Sequence, residues 1–196
     1  AQYLLLTHMQ KDDIQHAYDI SDEKISIVPH FIKSYGQQDT HDKEDRFVFI
    51  GRLGKQKQVD HLIKSYNQFL KYGHQTKLAI YGADEQNQKQ VILDLVKEYQ
   101  IEDKVDLNDF TKHPLEEFKK SKASLLTSEY EGFGLTVMES IEVGCPVIAY
   151  DVRYGPGEII EHGENGYLVE PDNIEAFAAY MLSLIHISEP TRLRRI

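Results

Sequence analysis

Between Arg46 and Val169 one pattern recurs: a short apolar run, a glycine or polar loop, then a longer segment with apolar residues at helical spacing. "RFVFIG", "TKLAIYG", "KVDLNDF", "ASLLTS" and "CPVIAYDV" read as strands. "VDHLIKSYNQFLKY", "QKQVILDLVKEYQI", "PLEEFKKSK" and "GLTVMESIEVG" read as helices, the first with Val59, Leu62, Ile63, Tyr66, Phe69 and Leu70 on one face. Helices between successive strands argue for parallel pairing, because a parallel neighbour is reached only by a crossover. The predicted fold class is therefore α/β, a doubly wound parallel sheet with helices on both faces. Ligands of such sheets sit at the carboxyl ends of the strands, so chemistry is sought in the loops there.

The flanks differ from this repeat. Residues 1–33 offer a strand end at "TH", a short helix in "QKDDIQHAYDI" and a strand from Ile25 to Val28 stopped by Pro29. They are expected to be the last piece of a preceding domain. Residues 34–45, "SYGQQDTHDKED", lack apolar periodicity and read as a linker, leaving 46–181 as the main domain. Asp172 and Glu175 have capping-box spacing before a helical stripe of Ile174, Phe177, Tyr180 and Met181. The period then changes in "LSLIHIS", and "LSLIHISEPTR" resembles, residue for residue, the translated adaptor of transposase-made sequencing libraries. Residues 182–196 are accordingly expected to be a non-native tail. The first residue is Ala1, so a truncated N-terminus is expected as well.

A formal net charge of −10 argues against nonspecific nucleic-acid binding, which needs clustered Lys and Arg. The single cysteine, Cys145, rules out an internal disulfide and fits a reducing, cytoplasmic setting. No apolar run approaches the length of a membrane span, so no span is expected within this sequence, and peripheral membrane association stays open. None of the nine histidines forms a pair at convincing metal spacing, there is no cysteine cluster, and no serine or cysteine nucleophile motif occurs, so no metal site is expected.

Two strand-end loops stand out. In "GRLGKQK", Gly51 permits a tight turn, and Arg52 and Lys57 put two cations on one loop. Two cations match a diphosphate, and they equally match a solvated basic loop. In "TSEYEGFGLTVMES", Glu131 and Glu139 flank a helix start whose free N–H groups at Phe133, Gly134 and Leu135 would face an anion. Carboxylates are poorly used against phosphate but accept well from hydroxyls, so the pair suits a ligand with a central diphosphate and a polyol at each end. The other reading is two ordinary carboxylates near a helix N-terminus. Gly82 reads as a turn, Phe110 as a core residue or a face for a nucleobase, and Gly155-Pro156-Gly157 as a rigid turn near the same edge.

Together "GRLGKQK", "SEYEGFGLTVMES", "GCPVIAYDV" and "ENGYLV" resemble the retaining GT-B glycosyltransferases with a Glu-x7-Glu motif, over residues 1–181. "IVPHFI", "KQVDHLI" and "YGPGEII" look most like the branch that glucosylates poly(glycerol phosphate) teichoic acid or serine-rich adhesins. The resemblance implies a donor-binding half of an enzyme that moves a hexose or N-acetylhexosamine from a UDP-sugar to a cell-wall polymer or protein. It implies Arg52 and Lys57 on the donor diphosphate, Glu131 on the sugar and Glu139 on the ribose. Gly51, Gly82, Phe110, Thr111, Gly132, Phe133, Gly134 and Leu135 would complete the donor site. It further implies no cofactor and no divalent metal, and it is compatible with an oligomer. Two positions depart from the family pattern: only Gly82 stands where glycine-x-glycine is usual, and Asp109 stands where glycine commonly precedes the phenylalanine. A non-catalytic GT-B subunit and a sugar-nucleotide epimerase of the same architecture are the alternatives.

Overall fold

The structure, a computed structural model, describes residues 1–32 and 43–186. It opens with strand β1 (Tyr3–Leu5), helix α1 (His8–Tyr18) and strand β2 (Ile25–Ile27), the two strands paired in parallel with Tyr3 opposite Ile25. Helix α1 starts where Thr7 Oγ1 accepts from Gln10 N–H at 3.0 Å, a side-chain cap for an otherwise unpaired helical donor.

The main sheet has six parallel strands: β3 (Arg46–Ile50), β4 (Lys77–Tyr81), β5 (Val105–Asn108), β6 (Ala123–Leu126), β7 (Val147–Tyr150) and β8 (Gly166–Val169). Their spatial order is β5-β4-β3-β6-β7-β8. The crossovers carry α2 (Val59–Leu70), α3 (Gln88–Glu98), α4 (Pro114–Lys120), α5 (Leu135–Glu142) and α6 (Pro156–Ile159), and α7 (Ile174–His186) follows β8. This is the expected doubly wound α/β fold. The period-two geometry of β3 shows both faces covered: Phe47 and Phe49 enter the larger core, whereas Val48 joins Ala79, Phe118, Val143 and Cys145 in a smaller one.

Helix α2 buries the stripe read from its sequence. Leu62, Ile63, Tyr66 and Phe69 are fully enclosed, each contributing about 1.5–3 kcal/mol of apolar burial. The Tyr66 hydroxyl, donating to Thr76 O at 2.7 Å, resolves the polar cost of burying a phenol.

Three sequence readings need adjustment. The Gly-Pro-Gly turn opens a short helix, α6, because proline is tolerated in the first helical turn. Leu182–His186 continue α7, and Leu182, Leu184 and Ile185 pack on the core, so the change of period at Leu182 does not end the helix; 187–196 lie outside the described residues. Of the linker, 34–42 lie outside the described residues, while Lys43 Nζ reaches Gly144 O at 2.9 Å and Glu44 N–H reaches Lys120 O at 2.7 Å.

The order reverses between β3 and β6: β4 and β5 build outward on one side of β3, and β6 to β8 on the other. At that reversal the loops after two adjacent strands diverge and leave a crevice. The loops in question are "GRLGKQK" and "TSEYEGFG".

Candidate functional site

Past the end of β3 the backbone stays tied to β4. Gly51 N–H donates to Tyr81 O at 3.0 Å, Leu53 N–H to Ala83 O at 2.8 Å, and Glu85 N–H to Leu53 O at 3.0 Å. The approach is so close that a Cβ on Gly82 would lie 1.9 Å from Gly51 O. Gly82 therefore supports the loop from below by allowing backbone contact. Leu53 is fully buried and anchors the loop, which then tightens through a single helical turn, Lys55–Lys57, into α2.

A second set of bonds ties this loop to the one after β6. The Thr127 hydroxyl is shared between Lys57 O at 3.1 Å and Gln58 O at 2.9 Å, Glu129 N–H donates to Gln56 O at 2.8 Å, and the Gln56 amide donates to Tyr130 O. The outcome is a fixed charge pair: Lys57 Nζ lies 2.7 Å from Glu131 Oε1, and Ser128 Oγ donates to the same oxygen at 2.6 Å. The two charged side chains are only 14% and 9% exposed. Desolvated charges of this kind need each other, yet Lys57 keeps two further N–H donors, and Glu131 Oε2 accepts no hydrogen bond among the described residues.

The turn after Glu131 is held from behind. Glu131 N–H donates to Arg153 O and Tyr154 N–H to Glu131 O, both at 2.7 Å, and a Cβ on Gly155 would lie 1.8 Å from Phe133 O. Gly134 takes φ +88, a conformation suited to glycine, and α5 starts at the next residue. Among the described residues the amides of Gly132, Phe133, Gly134, Leu135 and Thr136 donate to no protein acceptor. Five unpaired donors at a helix N-terminus, with a lysine beside them, form a cradle for an anion. They line a cleft of about 310 Å³ together with Lys57, Glu131, Leu6 and His30, whose ring meets Phe133 edge-on at 5.3 Å.

Glu139 sits one turn inside α5, half-buried, and its carboxyl has no hydrogen-bond or ion-pair partner among the described residues. Burial alone holds its carboxyl above the ordinary glutamate range. The folded state then binds a proton more readily than the unfolded one, so this group's contribution to stability falls as pH rises through its raised pKa. Glu139→Gln is accordingly expected to raise the thermal midpoint near pH 7, with the gain fading towards about pH 4, below the ordinary glutamate value. Thermal melts across that range check it, and a gain independent of pH would contradict it.

Not every predicted residue reaches the cleft. Lys57, Glu131, Gly132, Phe133, Gly134 and Leu135 line it. Arg52 instead pairs with Glu85 at 3.1 Å on the surface, its side chain 70% exposed. Gly51 and Gly82 shape the loop. Phe110 is exposed, which corrects its reading as a core residue, and Thr111 Oγ1 accepts from His113 N–H at 3.1 Å at the start of α4. The sequence reading overlooked Ser128, Gln56, Leu6, His30 and Thr136. Ser128 had a usable signal, a hydroxyl three residues before Glu131 in the same motif. Among the described residues no group of three His, Cys, Asp or Glu is placed to hold a metal ion, and no helix is long and apolar enough to cross a membrane.

Residues 32–195 match the family model described as glycosyl transferases group 1. The poly(glycerol-phosphate) alpha-glucosyltransferase of Bacillus subtilis (strain 168) is 36% identical over 138 residues, 70% of this chain and 20% of that protein. A crystal structure of an S. aureus TarM mutant with fondaparinux, alpha-GlcNAc-glycerol and UDP superposes with TM-score 0.86 at 31% identity, over 94% of this chain and 37% of that one. The pneumococcal O-GlcNAc transferase GtfA, solved with UDP and GlcNAc, gives TM-score 0.82 at 26% identity, over 98% of this chain and 39% of that one. This chain thus spans between a fifth and two fifths of these three proteins.

Proposed function

We propose, from the premise that this chain belongs to the glycosyl transferases group 1 family, that it forms the donor-binding part of a retaining glycosyltransferase. The donor is a UDP-sugar carrying a hexose or N-acetylhexosamine, and the acceptor is a cell-wall polymer or a protein. The observation that carries the reading is the Lys57–Glu131–Ser128 cluster beside five unpaired amides at the crevice between β3 and β6.

Each group has a task in that chemistry. The diphosphate lies against the amides at the start of α5, where the helix dipole and N–H groups need no reorganisation to receive it. Lys57 holds the same phosphates and stabilises the charge that grows on the departing UDP, the effect that usually contributes most to such a reaction. Glu131, already oriented by Lys57 and Ser128, accepts from sugar hydroxyls through its free Oε2. Glu139, half-buried and unpartnered, accepts from the ribose hydroxyls, which relieves the cost of its burial. Arg52 joins the diphosphate by leaving Glu85, an exposed pair that costs about 0–1 kcal/mol to break. No step calls for a divalent metal, and the setting is the cytoplasm.

The test is donor consumption by an intact enzyme that contains these residues, supplied with UDP-glucose or UDP-N-acetylglucosamine and a polyol-phosphate or serine-rich peptide acceptor. Acceptor-dependent UDP release with retention at the anomeric carbon is expected. Epimerised donor without acceptor would replace this reading with an epimerase, and an untouched donor would replace it with a non-catalytic subunit.

A further inference from the structure

Helix α1, which precedes the main domain in sequence, touches the turn that carries the unpaired amides through one side chain. Gln10 Nε2 donates to Gly132 O at 2.9 Å, across 122 residues of chain. The same side chain accepts from Leu6 N–H through Oε1 at 2.9 Å, so its amide plane is fixed at both ends. Helix α1 is independently docked: His8 and Met9 N–H donate to the Glu158 carboxylate at 3.0 and 2.8 Å, and Asp13 accepts from Arg153 and from the Tyr154 hydroxyl.

The peptide unit is planar and trans, so its C=O and N–H point in opposite directions. Gly132 O and Phe133 N–H belong to one such unit. Holding Gly132 O on the Gln10 side directs Phe133 N–H to the other side, where it donates to no protein group and its residue lines the cleft. The next unit is fixed differently. Phe133 O lies against Gly155, too close for any Cβ there, and this sets the direction of Gly134 N–H. Gly132 itself has open space around it and would let its peptide unit rotate at little steric cost. Two successive donors are thus aimed by two different supports, one packed and one hydrogen-bonded.

We infer that Gln10 is a positioning residue: through Gly132 O its side chain aims the Phe133 N–H at the anion in the cleft and so sets the affinity of the donor diphosphate site. This rests on reading the cleft as that site. Gln10→Met keeps the length of the side chain and removes both its donor and its acceptor. Asp13→Ala loosens the docking of α1 without touching Gly132 O.

The experiment is calorimetric titration of the 196-residue chain and both variants with UDP and, separately, inorganic pyrophosphate. Gln10→Met is expected to bind both ligands about three- to tenfold more weakly, the worth of one well-aimed hydrogen bond, in a protein still folded by its melting curve. Asp13→Ala is expected to bind as the parent does. Unchanged binding by Gln10→Met, or equal weakening by both variants, overturns the inference. Should Gln10→Met not fold, Gln10→Ala carries the same expectation. If the parent binds pyrophosphate but not UDP, the nucleotide reading fails and the Gln10 comparison is decided on pyrophosphate. If it binds neither, both are overturned.

Discussion

Lys57→Ala is expected to lower turnover on the order of a hundredfold in an intact enzyme of this kind, and to destabilise the present chain by about 3–5 kcal/mol. The two effects have different causes. Turnover falls because a cation aimed at the leaving diphosphate is gone. Stability falls because the Glu131 carboxylate, 9% exposed, loses its counter-charge and keeps only Ser128. Adding Glu131→Gln to Lys57→Ala removes the orphaned charge, so the double variant should regain most of the stability and none of the turnover. Urea unfolding and initial-rate measurements separate the two. Near-parental turnover by Lys57→Ala would remove Lys57 from the chemistry, and additive stability losses would mean that the pair is not coupled in the fold.

Gly155→Ala is expected to cost the fold more than about 3 kcal/mol, or to displace the turn at Phe133 and with it the anion cradle. Two penalties combine. The residue holds φ +85, and the added Cβ would fall 1.8 Å from Phe133 O, a backbone atom that cannot swing aside as a side chain would. Gly163 provides the control, since it also holds φ +85 but has nothing within 4 Å. Gly163→Ala should therefore show only the conformational penalty, about 1–2 kcal/mol. Equal losses in the two variants, read from urea midpoints, would show that the contact at Phe133 carries no weight.

The order of strands and helices was legible because each element carries its own period. The α2 stripe and the all-apolar "VIAY" strand needed nothing beyond local pattern. Strand order was less so, since the reversal between β3 and β6 depends on pairing across distant segments. The two motif loops lie at adjacent strand ends, as their sequence positions suggested, yet the sequence reading gave Lys57 and Glu131 separate ligand contacts, and the fold also pairs them with each other, 74 residues apart. Arg52 shared a loop with Lys57 and was expected to share its target, but Glu85 on the neighbouring loop draws it outward. Gly82 read as a turn and had a place in the donor site only by family resemblance; its part in letting the loop approach is visible only from the position of Gly51 O. Gln10, Leu6 and His30 left no trace in local pattern, because their contacts near the cleft join segments more than a hundred residues apart.

The central claim, that the crevice between β3 and β6 is a metal-independent site for a nucleoside diphosphate, is tested most directly by titrating this chain with UDP in the presence of a chelator. Saturable heat of one-to-one stoichiometry, abolished by Lys57→Ala in a protein still folded by its melting curve, is the predicted result. No heat at millimolar UDP from the folded parent chain would contradict it.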